Sequence, residues 1–306
     1  MQGTILEKLM ENLAVQVRPF AICQIGRGWR LSLEPADSIA LHYILSGEGT
    51  FRYPEGESQI SSGHLIVVPK QTKHAVEVMG EGNVRMATAD SSQIPPGADV
   101  VAVNTDDSDE GLSMACGRVE VIIGATHLFD ELRHPLIEDF SSSPLMQEVF
   151  EALIEEEHSG SLGRTAMTTA LMTQCFVMLL RRIGGRIESE LPWVAALEVE
   201  RLARVVSMVL DDPGRPYTVE FLAEQAGMSR SSFIEKFTRA FGRSAGDFVR
   251  ESRLRSGAEL LRQTKLPVKN VAMRVGYSSR SHFTHAFAKE FGVSPAAYRS
   301  TPVLSF

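Results

Sequence analysis

Two stretches decide the fold. The first is Leu222-Ala223-Glu224-Gln225-Ala226-Gly227-Met228-Ser229-Arg230-Ser231-Ser232-Phe233, and the second is Val271-Ala272-Met273-Arg274-Val275-Gly276-Tyr277-Ser278-Ser279-Arg280-Ser281-His282-Phe283. The second copy gains one residue in the turn. From Ser229 onward the register then holds at an offset of 50 positions, so that Phe237 falls on Phe287, Phe241 on Phe291, Gly242 on Gly292, Ser244 on Ser294 and Phe248 on Tyr298. A small unit written twice between Thr218 and Arg299 is the first feature to explain.

Both copies carry the same punctuation. A short segment with apolar positions at helix spacing (Val219, Leu222, Ala223; Val268, Val271, Ala272) runs into a glycine, a serine and a second helical segment, which is helix-turn-helix grammar. Gly227 and Gly276 stand where the first helix must stop and the backbone must take a positive φ. Ser229 and Ser279 stand where a hydroxyl accepts from the free N–H groups of the next helix. Phenylalanines at 233, 237 and 241, and at 283, 287 and 291, form a four-residue stripe that turns one face of each second helix to a core. The other face is then exposed, and a recognition helix would meet bases there. It carries Arg230, Ser231, Ile234, Glu235, Lys236 and Arg239, with Arg243 flanking, in the first copy, and Arg280, Ser281, His282, His285 and Lys289 in the second.

The run Val271-Ala272-x-x-Val275-Gly276-Tyr277-Ser278-Ser279-Arg280-Ser281-His282-Phe283, continued by Ala286-Phe287, Phe291-Gly292 and Ser294-Pro295-x-x-Tyr298-Arg299, resembles the signature of the AraC/XylS family of transcription regulators. The resemblance implies two helix-turn-helix modules joined by a long helix near Ala245 to Gln263. It implies recognition helices in successive major-groove segments on one face of double-stranded DNA and an activator that works with RNA polymerase. The residues show no metal-ligand set, Ser-His-Asp arrangement or phosphate loop, so no enzymatic activity is expected. Glu235 and His285 stand where relatives often carry arginine, so the resemblance does not supply their base contacts or the operator sequence.

Charge divides the same way. From Ala195 onward there are 17 Lys and Arg against 11 Asp and Glu, a local +6, whereas the rest of the chain carries −13. The carboxy-terminal part is therefore the one suited to phosphates. The 306 residues, 43% hydrophobic and 23% charged, are enough for two globular domains. Glu7, Lys8, Glu11 and Arg18 interrupt the beginning of the chain, so neither a signal peptide nor a membrane span is expected. Three cysteines, Cys23, Cys116 and Cys175, do not make a disulfide framework, which fits a reducing cytoplasm.

Ile5, Leu6, Leu9, Leu13 and Val17 predict an amphipathic helix over residues 4–17. From Ala21 to Ile123 the pattern is that of strands (Ile39 to Leu45, Leu65 to Val68, Ala75 to Val78, Val119 to Ile123) between Gly- and Pro-containing turns, which points to a sandwich or barrel. Tyr43-Ile44-Leu45-Ser46-Gly47-Glu48-Gly49 and Gly63-His64-Leu65-Ile66-Val67-Val68-Pro69, followed by His74, resemble the cupin barrel. That resemblance implies a small sensor domain with an internal pocket. Of the metal ligands that many cupin enzymes hold, only His74 remains; Glu34 to Leu41 contains no histidine. His42, His64 and His74 have no spacing that makes them converge, so neither a metal nor a cofactor is expected. Cys23 and Cys116 raise the alternative of an oxidant-responsive pair, which requires accessible thiols of low pKa.

The acidic stretch from Ser91 to Leu112 reads as a long exposed loop, with one short strand at Val100 to Val103. Pro144 opens a helix to about His158, and Gly163 opens another that ends at Gly184-Gly185. By resemblance these helices serve dimerisation; alternatively, both pack on the barrel. Ser189 to Trp193 reads as a linker, and Leu197 to Leu210 as the first helix of the DNA-binding part.

The expected fold is α+β: a cupin-like β-barrel over residues 1–140, a helical linker or dimerisation region over 141–192, and an all-α DNA-binding domain over 193–306. The expected function is a cytoplasmic, sequence-specific transcription activator, with homodimerisation open and no membrane partner. Cys23, Cys116 and His74 are the candidates for sensing a small molecule or oxidant. The alternative reading is a cupin-type metal-dependent enzyme fused to a DNA-binding module.

Overall fold

The computed structural model describes residues 13–17, 20–89, 111–123, 126–129, 132–159, 162–183 and 200–300. The strands in chain order are β1 (Leu13–Val17), β2 (Ala21–Gly26), β3 (Trp29–Leu33), β4 (Ile39–Ser46), β5 (Glu48–Tyr53), β6 (Gly56–Ser61), β7 (His64–Val68), β8 (His74–Val78), β9 (Arg85–Ala89), β10 (Gly111–Ile123), β11 (Thr126–His127) and β12 (Leu136–Asp139). The helices are α1 (Pro144–Ser159), α2 (Arg164–Ile183), α3 (Glu200–Asp211), α4 (Val219–Gln225), α5 (Arg230–Phe241), α6 (Ala245–Gln263), α7 (Val268–Arg274), α8 (Arg280–Phe291) and α9 (Pro295–Ser300). They fall into two compact units. One holds the residues described between 15 and 121 and between 132 and 183, and the other holds Leu13 and Ala14 with those between 122 and 129 and between 200 and 300.

In the first unit one sheet runs β1-β10-β4-β7-β12, with β2 also paired to β10, and the other runs β6-β5-β8-β3-β9; β11 pairs with Ile122 and Ile123 at the end of β10, all of which belong to the other unit. Their inner faces share a core: Cys23, Ile25, Ile44, Ile66, Met114 and Cys116 come from one sheet, and Leu31, Leu33, Phe51, Ile60, Val76 and Val78 from the other. The turn spacing predicts a sandwich or barrel and the resemblance a cupin; the fold is cupin-like, built as two facing sheets. Strand β4 is apolar on both faces because both are covered. Its alternate residues leave the inter-sheet core for the helices, where Tyr43 stacks on Phe150 of α1 with ring centroids 4.1 Å apart and an interplanar angle of 7°. The helices answer with a continuous buried side made of Met146, Phe150, Leu153, Met172, Phe176 and Leu179. Both therefore lie on the β structure. Gly47, at φ 86°, closes the β4–β5 turn where an added Cβ would stand 2.2 Å from the Gly111 carbonyl oxygen, so only glycine fits.

One expectation is corrected here. The end of the helix read over residues 4–17 is a strand, Leu13–Val17, because β10 offers it an edge in the sheet. Pairing in the sheet overrides a helical apolar pattern. The remainder of that reading, the 91–112 loop with its short strand (apart from Gly111 and Leu112, which belong to β10) and the linker at 189–193 lie outside the described residues.

In the second unit the two modules follow the repeat. Gly227 (φ 60°) and Gly276 (φ 83°) turn the chain after α4 and α7. Ser229 caps α5 by accepting from the Ser232 N–H at 3.3 Å, and Ser279 caps α8 by accepting from the Ser281 N–H at 3.2 Å. The Phe stripes are packed ring on ring: Phe233–Phe237 and Phe237–Phe241 at 5.4 and 4.6 Å, Phe283–Phe287 and Phe287–Phe291 at 5.4 and 4.4 Å. Helix α6 serves both cores. Phe248 at its start meets Phe237 edge-on at 5.7 Å, while Leu254, Ala258 and Leu261 belong to the core of the second module. Two arginines fasten it. Arg253 donates from Nε to the Pro213 carbonyl and from Nη2 to the Arg215 carbonyl, both at 2.9 Å. Arg299 of α9 donates to the carbonyls of Leu261 and Leu266.

Candidate nucleic-acid interface

Burial of the Phe stripes leaves the opposite sides of α5 and α8 to solvent. Arg230, Ser231, Ile234, Glu235, Lys236 and Arg239 on α5, and Arg280, Ser281, His282, His285 and Lys289 on α8, are all exposed. The sequence-predicted outer faces are thus outer faces in the fold. Arg243, expected to flank the first of them, does not stand there: its guanidinium is turned back onto Glu251 and the Phe241 carbonyl.

The α5 face is not uniformly basic. Arg239 pairs with Glu235 at 2.6 Å one turn away, and Arg230 pairs with Glu220 of α4 at 2.7 Å. Exposed pairs such as these contribute little to stability, but they set side-chain direction and reduce the net positive charge that α5 presents. The α8 face carries His282 and His285 with Arg280 and Lys289, so the two modules offer different chemistry despite their common fold.

A cleft of about 590 Å³ adjoins the α8 face, lined by Tyr217, Arg250, Arg253, Tyr277, His282 and His285. Sequence reasoning missed Arg250 and Arg253, because they sit on α6, outside the repeated motif. The only hint was a cluster of arginines in the helix between the copies. Burial raises the Tyr277 pKa, and its hydroxyl has no hydrogen-bond partner among the described residues.

In the β unit the two sensor cysteines converge. Cys116 Sγ lies 3.2 Å from Cys23 Sγ, and both side chains are buried. Cys116 is paired across the sheet with Ala21, two residues from Cys23, so the thiols meet on a diagonal between β10 and β2. Burial, together with Cys23, pushes the Cys116 thiol well above its ordinary value. That is the reverse of the accessible thiol of low pKa expected of a redox cysteine. On its other side Cys116 faces His42 of β4 across the ladder.

His42 and His74 also meet, Nε2 to Nε2 at 2.8 Å, while His64 does not join them and bonds the Ser61 carbonyl instead. The tautomers follow from the partners. His74 Nδ1 must donate to the Thr72 carbonyl at 3.0 Å, so its Nε2 accepts from His42, and His42 Nδ1 is an acceptor with no partner among the described residues. Burial holds both rings below the ordinary histidine value, His42 by a wide margin. Among the described residues no three His, Cys, Asp or Glu side chains are grouped to hold a metal ion.

Comparison with known proteins fits this geometry. A family model described as Cupin matches residues 5–183, and one described as Helix-turn-helix domain matches residues 222–301. The HTH-type transcriptional regulator AlkR of Acinetobacter baylyi is 26% identical over 96% of this chain and 98% of its own. The RCS-specific HTH-type transcriptional activator RclR of Escherichia coli is 25% identical over 90% of each chain. Among solved structures, the DNA-binding domain of AdpA in complex with a target DNA is 33% identical, covering 33% of this chain and 90% of that one at a TM-score of 0.32. With a cupin match over more than half its length and a doubled helix-turn-helix unit behind it, the chain belongs to the AraC/XylS family of DNA-binding transcription regulators.

Proposed function

We propose that this protein is a transcription activator whose cupin domain, over residues 1–140, controls the DNA-binding domain over residues 193–306, with residues 141–192 as the helical connection. The observation that carries the reading is the doubled outer face. Each module buries a phenylalanine stripe and leaves polar, basic and base-sized side chains on the opposite side of a capped helix. The cleft residues Arg250 and Arg253 add positive charge where a phosphate backbone between two major-groove segments would pass. Activation draws support from the printed description of the Escherichia coli relative and brings RNA polymerase in as a partner. Exposed Leu145, Leu162 and Met167 around the starts of α1 and α2 support a homodimer. Among the described residues no helix is long and apolar enough to cross a membrane. The regulator we propose is cytoplasmic and has no enzymatic activity.

The signal we assign to Cys23 and Cys116 is a small two-electron oxidant such as a hydroperoxide, which has to enter the core between β2 and β10, because both thiols are buried and burial keeps that of Cys116 protonated. The two thiols lose two protons and two electrons to form one disulfide, and the hydroperoxide leaves as an alcohol and water. Diagonal neighbours on adjacent strands have Cα atoms roughly 7–8 Å apart, wider than the usual disulfide span of roughly 4.4–6.8 Å. Bridging them therefore draws β2 and β10 together, and such a strain gives oxidant a different free energy in two conformations. His74, buried against His42, is assigned to sensing a small-molecule effector.

The test is retention of genomic fragments by the full-length protein at low salt, followed by a salt titration. Discrete sites with affinity falling linearly in log salt are expected; no retention at low salt refutes the reading. For the sensor, the Cys23→Ser/Cys116→Ser variant should bind DNA identically with and without peroxide. An unchanged peroxide response in that variant removes the cysteines from the mechanism.

A further inference from the structure

We infer that the first module reads a cytosine through Glu235 and an adjacent thymine through Ile234. The inference rests on the outer faces being the DNA-facing ones. At 3.6 residues per turn, Glu235 projects about 160° away from both Phe233 and Phe237, and those two rings are fully buried. Glu235 is therefore the centre of the exposed face, within the first two turns of α5, where recognition helices touch base edges. A carboxylate is an acceptor only, so it repels phosphates and the guanine O6/N7 edge. In the major groove it is satisfied by the N4 amino group of cytosine. Arg239 removes the electrostatic objection: it donates from Nη2 to Glu235 Oε1 at 2.6 Å, which offsets the negative charge and leaves Oε2 with no partner among the described residues.

Ile234 is the second observation. It is 40% exposed on the same side of the helix, a large branched apolar side chain held in solvent between hydroxyl and charged neighbours. The core does not use it, and Phe233 and Phe237 already fill the module. The one apolar group that the major groove offers is the thymine C5-methyl. Residues 234 and 235 are separated by about 100° around the helix, so they address neighbouring base pairs. The doubled ion pairs that make α5 poor in free positive charge are the counterpart of this chemistry: affinity comes from Lys236 and the rest of the basic unit, and choice of sequence from Glu235 and Ile234.

The experiment is selection of sites from a randomised duplex library by the full-length protein, its Glu235→Gln variant and its Ile234→Ala variant. Wild type should enrich a C beside a T at fixed positions of one half-site. Glu235→Gln should lose that C and favour A, with which glutamine pairs through N6 and N7, by roughly ten-fold and at no other position. Replacing the thymine by deoxyuracil removes only the methyl, and should weaken wild type several-fold while leaving Ile234→Ala unaffected. A defined site that Glu235→Gln selects unchanged, or one with no C contacted by α5, overturns the inference while leaving the regulator standing. Failure of wild type to enrich any site removes both. Retained salt-dependent binding by the variants shows that they are folded, because neither substitution touches the Phe stripe.

Discussion

Acidification from pH 7.5 to 5.5 is expected to loosen the β unit through His42 and His74. Burial, reinforced by the neighbouring ring, holds His42 well below 6.5; burial also lowers His74, although the Thr72 carbonyl pulls the other way. Folded, both rings resist protonation, His42 the more strongly, whereas in the unfolded chain each takes up a proton near its ordinary pKa of 6.5. The unfolded state then binds more protons, so stability that is present above pH 6.5 is lost as the pH falls below it. A buried ring that resists the proton its unfolded counterpart takes up forgoes on the order of 1 kcal/mol for each pH unit below 6.5. Glu77 does not interfere. Burial would raise its pKa, but hydrogen bonds from Arg30 and Arg52 hold it below 4.5, and its own contribution fades only under that value. The assay is urea unfolding followed by Trp29 fluorescence in a Trp193→Phe background, with wild-type histidines and with His42→Gln. A transition midpoint that does not move between pH 7.5 and 5.5, or that moves equally in the His42→Gln protein, refutes the account.

Phe287→Ala should destabilise the second module by about 3 to 5 kcal/mol, because its fully buried ring touches Phe283, Phe291 and Tyr298; faster hydrogen exchange in α8 with an unchanged Trp29 transition is the readout. Gly257→Ala should also destabilise, by about 1 to 3 kcal/mol of overlap against about 1 kcal/mol of helix propensity. Its new Cβ would lie 2.9 Å from two ring carbons of Phe283, and a more stable variant contradicts the packing described. Lys236→Ala and Arg280→Ala should weaken binding to every sequence and reduce the salt slope by about 1, whereas Ser231→Ala and His282→Ala should change preference at individual base pairs. Salt-titrated fluorescence anisotropy on matched and mismatched duplexes separates these outcomes.

The helical unit was far more legible in the sequence than the β unit. Its information is local: a glycine, a capping serine and a four-residue stripe fix each module within about twelve residues, and Ser229, Ser279, Gly227 and Gly276 all do in the fold what their residue types suggest. The span of α6 came instead from the family resemblance, which the fold matches at Ala245–Gln263. The packing inside the β unit depends on register between strands remote in sequence. Cys23 and Cys116 are 93 positions apart and His42 and His74 are 32 apart, and no periodicity announces which of three histidines will meet. The end of the helix read near residues 4–17, Leu13–Val17, went astray for the same reason, since a sheet edge supplied by β10 is invisible from the segment itself. On the DNA side the positions were legible, but the Arg230–Glu220 and Arg239–Glu235 pairs were not, as they depend on where two helices place their long side chains.

The fastening of α6 has a consequence for operators. A rod that shares its two ends with two cores, and whose backbone neighbours are clamped by Arg253 and Arg299, works as a ruler rather than a tether. One base pair inserted between the half-sites turns the second away by about a tenth of a helical turn, and a fixed rod has no slack with which to follow. Natural target sites should therefore vary in letters far more than in length, and a promoter could escape this regulator by a single-nucleotide insertion that alters no contacted base.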